Sequence, residues 1–541
     1  MSWIELPFTP RYILLTLALV ITALLLGDVV LRPGNHPIVF TALAVAAALA
    51  AIGLRDITQS KHAILRNYPI AAHLRYLFEE IRPEMRQYFF EGDRDGTPFS
   101  RDDRAIVYQR AKMVLDKRPF GTQSDVYANN FEWLNHSIAP KPVAKEGFRL
   151  AIGGPHCAKP YNASVFNISA MSFGALSANA IRALSSGAKA GGFAQDTGEG
   201  GLSPYHEAGG GDIIWEVGSG YFGCRNDDGT FSPERFTEVA GREQVKMVEL
   251  KLSQGAKPGH GGVLPAAKVS AEISRIRGVP VGKDCISPAR HSAFSTPIEL
   301  LEFVHQMRML SGGKPAGFKL CIGHPHEFLA ICKAMLATGL TPDFIVVDGK
   351  EGGTGAAPQE FIDHLGMPMR DGLNFVHNAL IGIGLRDRIQ VAAAGKIVTA
   401  FDMARAFALG ADWCNAARGF MFAIGCIQSQ TCHTDRCPVG VATQDPSRQR
   451  ALVVTEKSVR VAHFHRATVL SLAEVVAATG LEHPSDFRPQ HVSRRVSPSQ
   501  IETFAELYPA LEPGELIAGT NDARFKSAWA AARAETFDMG T

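Results

Sequence analysis

The sequence has no surplus of either charge: 55 Lys and Arg face 53 Asp and Glu, a formal net charge of +2. A nucleic-acid binder carries a basic excess to match the phosphate backbone, so that class is set aside. A disulfide framework is also missing. The nine cysteines are odd in number and scattered through a long chain, the usage of a reducing compartment. No convincing glycine-rich dinucleotide fingerprint follows the first strand-like run, which weighs against a doubly wound sheet. No internal repeat is visible. Charged residues are sparse at 20%, yet 46% hydrophobic residues exclude wholesale disorder.

That hydrophobicity is concentrated at the front. Tyr12 to Leu31 form an apolar run whose only charge is Asp28. Twenty helical residues rise about 30 Å, the thickness of a bilayer's hydrocarbon core. A polar break (Arg32, Pro33, Gly34, Asn35, His36, Pro37) precedes a second uncharged run, Ile38 to Leu54. The pattern reads as a transmembrane hairpin. A cleaved signal peptide has a shorter apolar stretch and needs no second span; a buried helical hairpin is the other alternative. Arg55, Lys61, Arg66 and Arg75 crowd the far flank, whereas the loop between the runs holds only Arg32. The positive-inside rule then puts the protein in the inner (cytoplasmic) membrane with the rest of the chain facing the cytoplasm.

Four regions are expected. Residues 1–56 hold the two membrane helices. Residues 57–147 form a charged and aromatic linker or cap, with helical apolar spacing at Ile70, Leu74, Leu77, Phe78 and Ile81, from which no chemistry can be extracted. Residues 148–474 alternate short apolar runs, glycine-rich or polar loops and helical patterns: Val165–Ser169, Gly192–Asp196, Met247–Leu252, Phe318–Cys321, Phe344–Val347, Ile389–Ala393 and Trp413–Ala416. This alternation predicts an α/β fold, a (β/α)8 TIM barrel with its chemistry at the C-terminal ends of the strands. Residues 475–541 read as a helical tail.

Three local signals carry chemistry. Cys426, Cys432 and Cys437 lie within twelve residues and are followed by Pro438. Such thiolates suit a soft metal: an iron–sulfur cluster, zinc with His433 as a fourth ligand, or no metal if the three are merely buried. Glycine-rich loops end three late runs, at Asp348–Gly355, Gly395-Lys396 and Arg418-Gly419. Backbone amides in such loops cradle a phosphate, and three in register point to a mononucleotide such as FMN, although glycine in any one loop just makes a tight turn. Lys257 in Gln254–Gly259, with Arg277 downstream, forms a pair able to clamp a dicarboxylate or to be a solvated basic face. Glu199, flanked by glycines, can accept a proton or bind an ammonium.

These segments together resemble the FMN-binding synthase domain of glutamate synthase. The matching strings are SAMSFGALS (169–177), TGEGG (197–201), QGAKPG (254–259), ISP (286–288), EGGTGAAP (351–358), LRDR (385–388) and GCIQSQTCHTDRCPVGVATQDP (425–446), in the family's order. The resemblance implies FMN over the barrel mouth. Met171 and Ser172 would lie near its ring, Lys319 near the ring's electron-rich edge, and Gly352, Gly353, Gly395, Lys396, Arg418 and Gly419 around ribose and phosphate. It implies a [3Fe-4S] cluster on Cys426, Cys432 and Cys437. Gln254, Lys257 and Arg277 match positions that contact 2-oxoglutarate, and Glu199 one near which ammonia meets the keto acid. The implied reaction is reductive amination, with Glu199 and Lys257 as catalytic residues.

The chain departs from the family's pattern at His260, Val263 and Ala289–Ser292, near the substrate loop. It opens on Met1-Ser2-Trp3 and an apolar run, where glutamine-using members carry an amidotransferase domain, so nitrogen is expected as ammonia or another amine. With no NAD(P)H site evident, electrons are expected from a donor protein such as ferredoxin or from the membrane quinone pool. The rival reading on the same scaffold is a membrane-tethered flavoprotein dehydrogenase of another amino or hydroxy acid that reduces quinone. A third reading is a non-catalytic electron-transfer module.

Overall fold

The computed structural model describes residues 6–32, 34 and 37–539. Met1, Ser2 and Trp3, and Pro33, Asn35 and His36 of the polar break, lie outside the described residues. The chain divides into two compact units, Met1–Gly96 and Thr97–Thr541, so the region taken as one linker or cap is split between them.

In the first unit the two apolar runs are helices, α1 (Ile13–Leu31) and α2 (Pro37–Thr58), packed on each other. Both are long and apolar enough to cross a membrane by length and composition, and most of their surface is not buried in protein. A short helix (Ala63–Asn67) leads to α3 (Ala71–Met85), which continues into one π-helical turn, Arg86–Phe90.

The second unit opens with α4 (Arg101–Lys112), whose first turn is closed by a capping box of Ser100 and Asp103. Its core is a closed barrel of eight parallel strands: β1 (Phe166–Ile168), β2 (Ala194–Asp196), β3 (Asp212–Val217), β4 (Val245–Lys251), β5 (Ala316–Leu320), β6 (Phe344–Asp348), β7 (Gln390–Ala394) and β8 (Trp413–Ala416). The expected (β/α)8 barrel is therefore the fold. Seven strands coincide with expected runs to within a few residues. The eighth, β3, was not among them, because Asp212 and Glu216 bracket its three apolar residues and hide the run.

Side chains alternate between the two faces of a strand, so every second residue enters the barrel. Ala194, Ile214, Met247, Phe344, Val346, Ala392 and Trp413 form an apolar interior cluster. An antiparallel hairpin (Arg149–Ile152 with Tyr161–Ser164) adds Ile152, Tyr161 and Ala163 to it. Two residues beyond Ala194, Ile214 and Met247, the same interior rows carry Asp196, Glu216 and Glu249. The sequence thus places apolar residues low in the barrel and charge towards its C-terminal mouth.

The tail is not simply helical. Val492–Ser497 and Gln500–Thr503 pair as a hairpin around Pro498-Ser499, and Glu132–Leu134 adds a third antiparallel strand. The two proline-punctuated segments make a sheet because strand 132–134 supplies a partner more than 350 residues away, as the Asn135 to Gln490 hydrogen bond reflects. A long helix, α5 (Val454–Ala478), crosses the expected boundary at residue 474.

At the opposite end of the barrel Asp343 precedes β6, fully buried. It accepts hydrogen bonds from the Arg308 guanidinium, the Ala316 amide and the Gly154 amide, each at 2.8 Å. Arg308 is equally buried. Replacing Asp343 with alanine strands that cation and two amides, which should cost about 3–5 kcal/mol. Denaturant unfolding of the detergent-solubilised chain measures it; a loss below about 1 kcal/mol would mean water already reaches the pair.

Candidate active site at the barrel mouth

The loop after β2 turns sharply at Gly198, whose φ of +64° suits glycine and whose added Cβ would fall 2.8 Å from the Ser172 amide nitrogen. The turn carries Glu199 over the mouth, where its carboxylate meets the Lys251 ammonium at 3.0 Å. Lys251, the last residue of β4, also donates to Gln254 Oε1 at 2.5 Å. Lys257 Nζ reaches the Ala356 carbonyl at 2.9 Å. Glu199, Gln254 and Lys257 thus line one pocket with Lys251, Ser219 and Ser253. Arg277 stands behind this pocket. A Cβ on Gly200 would lie 2.7 Å from its guanidinium, which donates to the Phe173 carbonyl at 3.0 Å and packs over Phe222. Its Nε is buried without a partner.

Burial by itself would raise the Glu199 pKa, but Lys251, Lys257 and Arg277 outweigh it and hold the carboxylate below its usual range. Burial lowers Lys257 to about 8, with Glu199 working against that shift and Lys251 adding to it. Lys251 is oriented from below by His291, whose Nε2 lies 2.8 Å from the Lys251 carbonyl while Nδ1 contacts the Tyr221 hydroxyl at 3.1 Å. Burial drives His291 down to about 4, so it is neutral at physiological pH.

Beneath the pocket lies a charged cage. Lys319, on β5, pairs most closely with Glu216 on β3 and approaches Glu249 on β4 at 3.2 Å and Asp196 on β2 at 3.9 Å. The three carboxylates offer oxygens within 4.8 Å of one another, a spacing that would suit a metal ion, but the Lys319 ammonium stands among them. One buried cation cannot balance three buried anions, so the cage retains protons. Accordingly burial, together with Glu216, lifts Asp196 to about 7, and burial also holds Glu249 well above the carboxylate range. Burial opposes the charge on Lys319, yet Glu216, Glu249 and Asp196 keep its pKa well above normal.

On the other side of the mouth Gly255 touches the loop after β6 so closely that a Cβ would sit 1.6 Å from the Gly349 carbonyl oxygen. Its amide donates to Asp348 at 2.8 Å. That loop sets Gly352 against Gly349 and Asp348 and brings Gly353 to Arg418, whose guanidinium donates to the Glu351 carbonyl. Lys396 follows Gly395 in a left-handed conformation, φ +50°, rare for a lysine and a mark of imposed backbone strain. Burial lowers Arg418 to about 10, and burial together with Arg418 lowers Lys396. Arg418, half-buried, and Lys396, exposed, stand as two cations beside the glycine loops, an arrangement that fits a phosphate. Met171 is buried at the same mouth, and Ser172 Oγ lies 3.5 Å from Arg277.

Cys426, Cys432 and Cys437 share a loop that contains three non-glycine residues of positive φ, Gln428, Gln430 and Asp435. Burial raises Cys426 to about 12, and Cys432 and Cys437 raise it further, so the thiols are neighbours. Their sulfurs do not all come within 4.8 Å of one another. His433 is exposed. Lys268, fully buried, donates to the carbonyls of Ala175 and Cys432. The Tyr108 hydroxyl donates to the Cys426 carbonyl at 2.5 Å, and Gln428 bonds the Phe99 backbone through both ends of its amide.

Several of these groups were not anticipated. Asp196, Glu216, Glu249 and Lys251 lie within or at the end of strands, where the local sequence alone does not say which way a charged side chain points. Phe99 and Tyr108 had no signal, since the part of the chain they occupy showed no chemistry of its own.

A closed parallel barrel with a glycine-rich mouth, two neighbouring cations on its rim and a polar pocket has the layout of a barrel enzyme. The chain belongs to the glutamate synthase family: the family described as "Conserved region in glutamate synthase" matches residues 151–482. That places it among oxidoreductases acting on CH–NH2 donors. It is 38% identical over 491 residues to the glutamate synthase large subunit-like protein YerD of Bacillus subtilis, covering 83% of this chain and 93% of that one. It is 35% identical over 311 residues to the archaeal glutamate synthase [NADPH] of Methanocaldococcus jannaschii, covering 57% of each. Among solved structures, a flavocytochrome b2 double mutant with bound pyruvate is a distant likeness, with 12% identity and a TM-score of 0.40 over 82% of this chain and 90% of that one.

The cage yields a double-mutant cycle. Lys319→Met leaves three carboxylates without their cation and should cost about 3–5 kcal/mol. Adding Glu216→Gln removes one negative charge and should recover part of that loss. Strict additivity in unfolding experiments would show that the two side chains do not interact.

Proposed function

We propose that the chain makes glutamate by FMN-dependent reductive amination of 2-oxoglutarate with ammonia or another amine. The single observation that carries this reading is the meeting, at one barrel mouth, of the Glu199–Gln254–Lys257 pocket and the Lys396–Arg418 cation pair. Gly352, Gly353, Gly395, Lys396, Arg418 and Gly419 would hold the ribose and phosphate of FMN, and Met171, Ser172 and Lys319 its ring. FMN bound there supplies hydride transfer. Lys257 and Arg277 neutralise the carboxylates of the keto acid, and Gln254 fixes its orientation. Glu199, kept ionised by its three cations, binds the ammonium or takes the proton it releases at its carboxylate oxygen.

Cys426, Cys432 and Cys437 would hold a [3Fe-4S] cluster that supplies one-electron transfer. Three neighbouring thiols, spaced too widely for a single ion and with His433 exposed, support a cluster over zinc. Electrons would come from a donor such as ferredoxin or the quinone pool. The hairpin α1–α2 would anchor the protein in the inner membrane with the catalytic unit towards the cytoplasm, a reading supported by helix length, apolar surface and the flanking arginines.

Detergent-extracted protein should carry flavin and form glutamate from 2-oxoglutarate, ammonium and reduced ferredoxin. Flavin without glutamate formation would reject the reading in favour of another substrate. Cys432→Ser should lose the iron and the ferredoxin-driven rate while keeping the flavin, as metal analysis and absorbance would record; unchanged iron content would exclude the cysteine site.

A pH effect follows from Lys257. Its ammonium is charged below about 8 and is lost as pH rises through that value. At saturating ammonium, kcat/KM for 2-oxoglutarate should therefore fall above about pH 8. Lys257→Arg, charged throughout the accessible range, should abolish that limb even if its overall rate is lower.

A further inference from the structure

Among the described residues, helix α3 and the turn after it carry an exposed apolar face. Leu74, Leu77, Phe78, Ile81, Met85 and Phe89 fall at positions i, i+3, i+4, i+7, i+11 and i+15, which at 3.6 residues per turn gather on roughly one third of the helix circumference. All six are exposed, from 38% at Ile81 to 73% at Phe89. Scattered exposed apolar side chains need no explanation, but a continuous stripe of this length marks an interaction surface. Arg75, Arg82 and Arg86 follow one another along one edge of the stripe, Arg75 paired with Glu79 at 2.8 Å, while Glu84 borders the other edge and Glu80 lies on the polar face.

The start of α3 is fixed with respect to α2. Asp56 is buried at the C-terminal end of α2, just beyond the uncharged run that ends at Leu54. Its carboxylate accepts from the Ile70 amide at 2.9 Å and meets His73 Nε2 at 2.9 Å and 3.0 Å. These bonds hold the first turn of α3 at the level where α2 leaves its apolar stretch. If α2 crosses a bilayer, that level is the headgroup region.

We propose that α3 lies in the plane of the membrane surface, its leucine and phenylalanine stripe in the acyl boundary and its arginine edge against anionic lipid phosphates. The inference rests on the membrane reading of α1–α2 and adds a second, surface-lying contact to it. Lipid is favoured over a protein partner by two features. The stripe starts at the depth set by Asp56, and long arginine side chains flanking an apolar stripe can keep their charge at headgroup level while their stems stay in the apolar layer.

The test uses the full chain reconstituted in vesicles of phosphatidylethanolamine and phosphatidylglycerol. p-Benzoylphenylalanine is introduced in place of Phe78, with a second variant at Leu74, an in-membrane reference at Leu24 and a polar-face reference at Glu80. After irradiation, mass spectrometry separates lipid adducts from peptide adducts. Lipid adducts at Phe78 and Leu74, several-fold above those at Glu80, are the expected result. Cross-links from Phe78 and Leu74 to residues 97–541 or to a second copy, with lipid adducts retained at Leu24, would overturn the proposal and leave the hairpin reading intact. Absence of lipid adducts at Leu24 as well would remove the membrane reading and the proposal together.

Discussion

The Lys319 ammonium is enclosed by three carboxylates from three neighbouring strands, and the mouth of the barrel is built around that enclosure. A charge of this kind survives burial only when its partners are held in place, since removing one member leaves the others uncompensated. The strands do the holding: Asp196, Glu216, Glu249 and Lys319 occupy successive strands β2 to β5 of a closed parallel barrel, each projecting inward. Above the cage the next charges are also paired, Lys251 with Glu199 at 3.0 Å. Because the cage carries more anions than cations, it holds protons at neutral pH. In the polar pocket, by contrast, Lys251, Lys257 and Arg277 keep Glu199 ionised.

How much of this the sequence disclosed depended on where the information lay. The barrel was legible because seven of its strands, such as those of Val346, Ala392 and Cys414, are short apolar runs followed by glycine-rich or polar loops. Strand β3 was missed for the reason that makes it useful: Glu216 interrupts the run in order to enter the cage. The glycine loops stood out because three of them end late strands in register, although any one alone would be read as a tight turn. The cage did not stand out, since a glutamate or lysine within a strand is locally indistinguishable from one facing solvent. Only the closure of the barrel decides which way it points.

The remaining gaps are long-range contacts. Strand 132–134 has no partner until the chain returns at Val492, so the tail looked like loosely helical sequence around prolines. Tyr108 and Phe99 gain their meaning from a loop more than 300 residues further on. Nothing in their immediate sequence, an ordinary capped helix, hints at it.

That contact matters for how the mouth is organised. Phe99 packs under the guanidinium of Arg418 at 4.7 Å and near the Lys396 ammonium at 5.9 Å, while its backbone is clamped by Gln428 of the cysteine loop. Tyr108, two turns along α4, holds the carbonyl of Cys426. One short segment therefore touches both the cationic rim and the loop that carries the thiols, and fixes their separation. An aromatic face against the half-buried Arg418 guanidinium also recovers part of the solvation it loses. That segment, Phe99 with the first two turns of α4, is the first of the second unit.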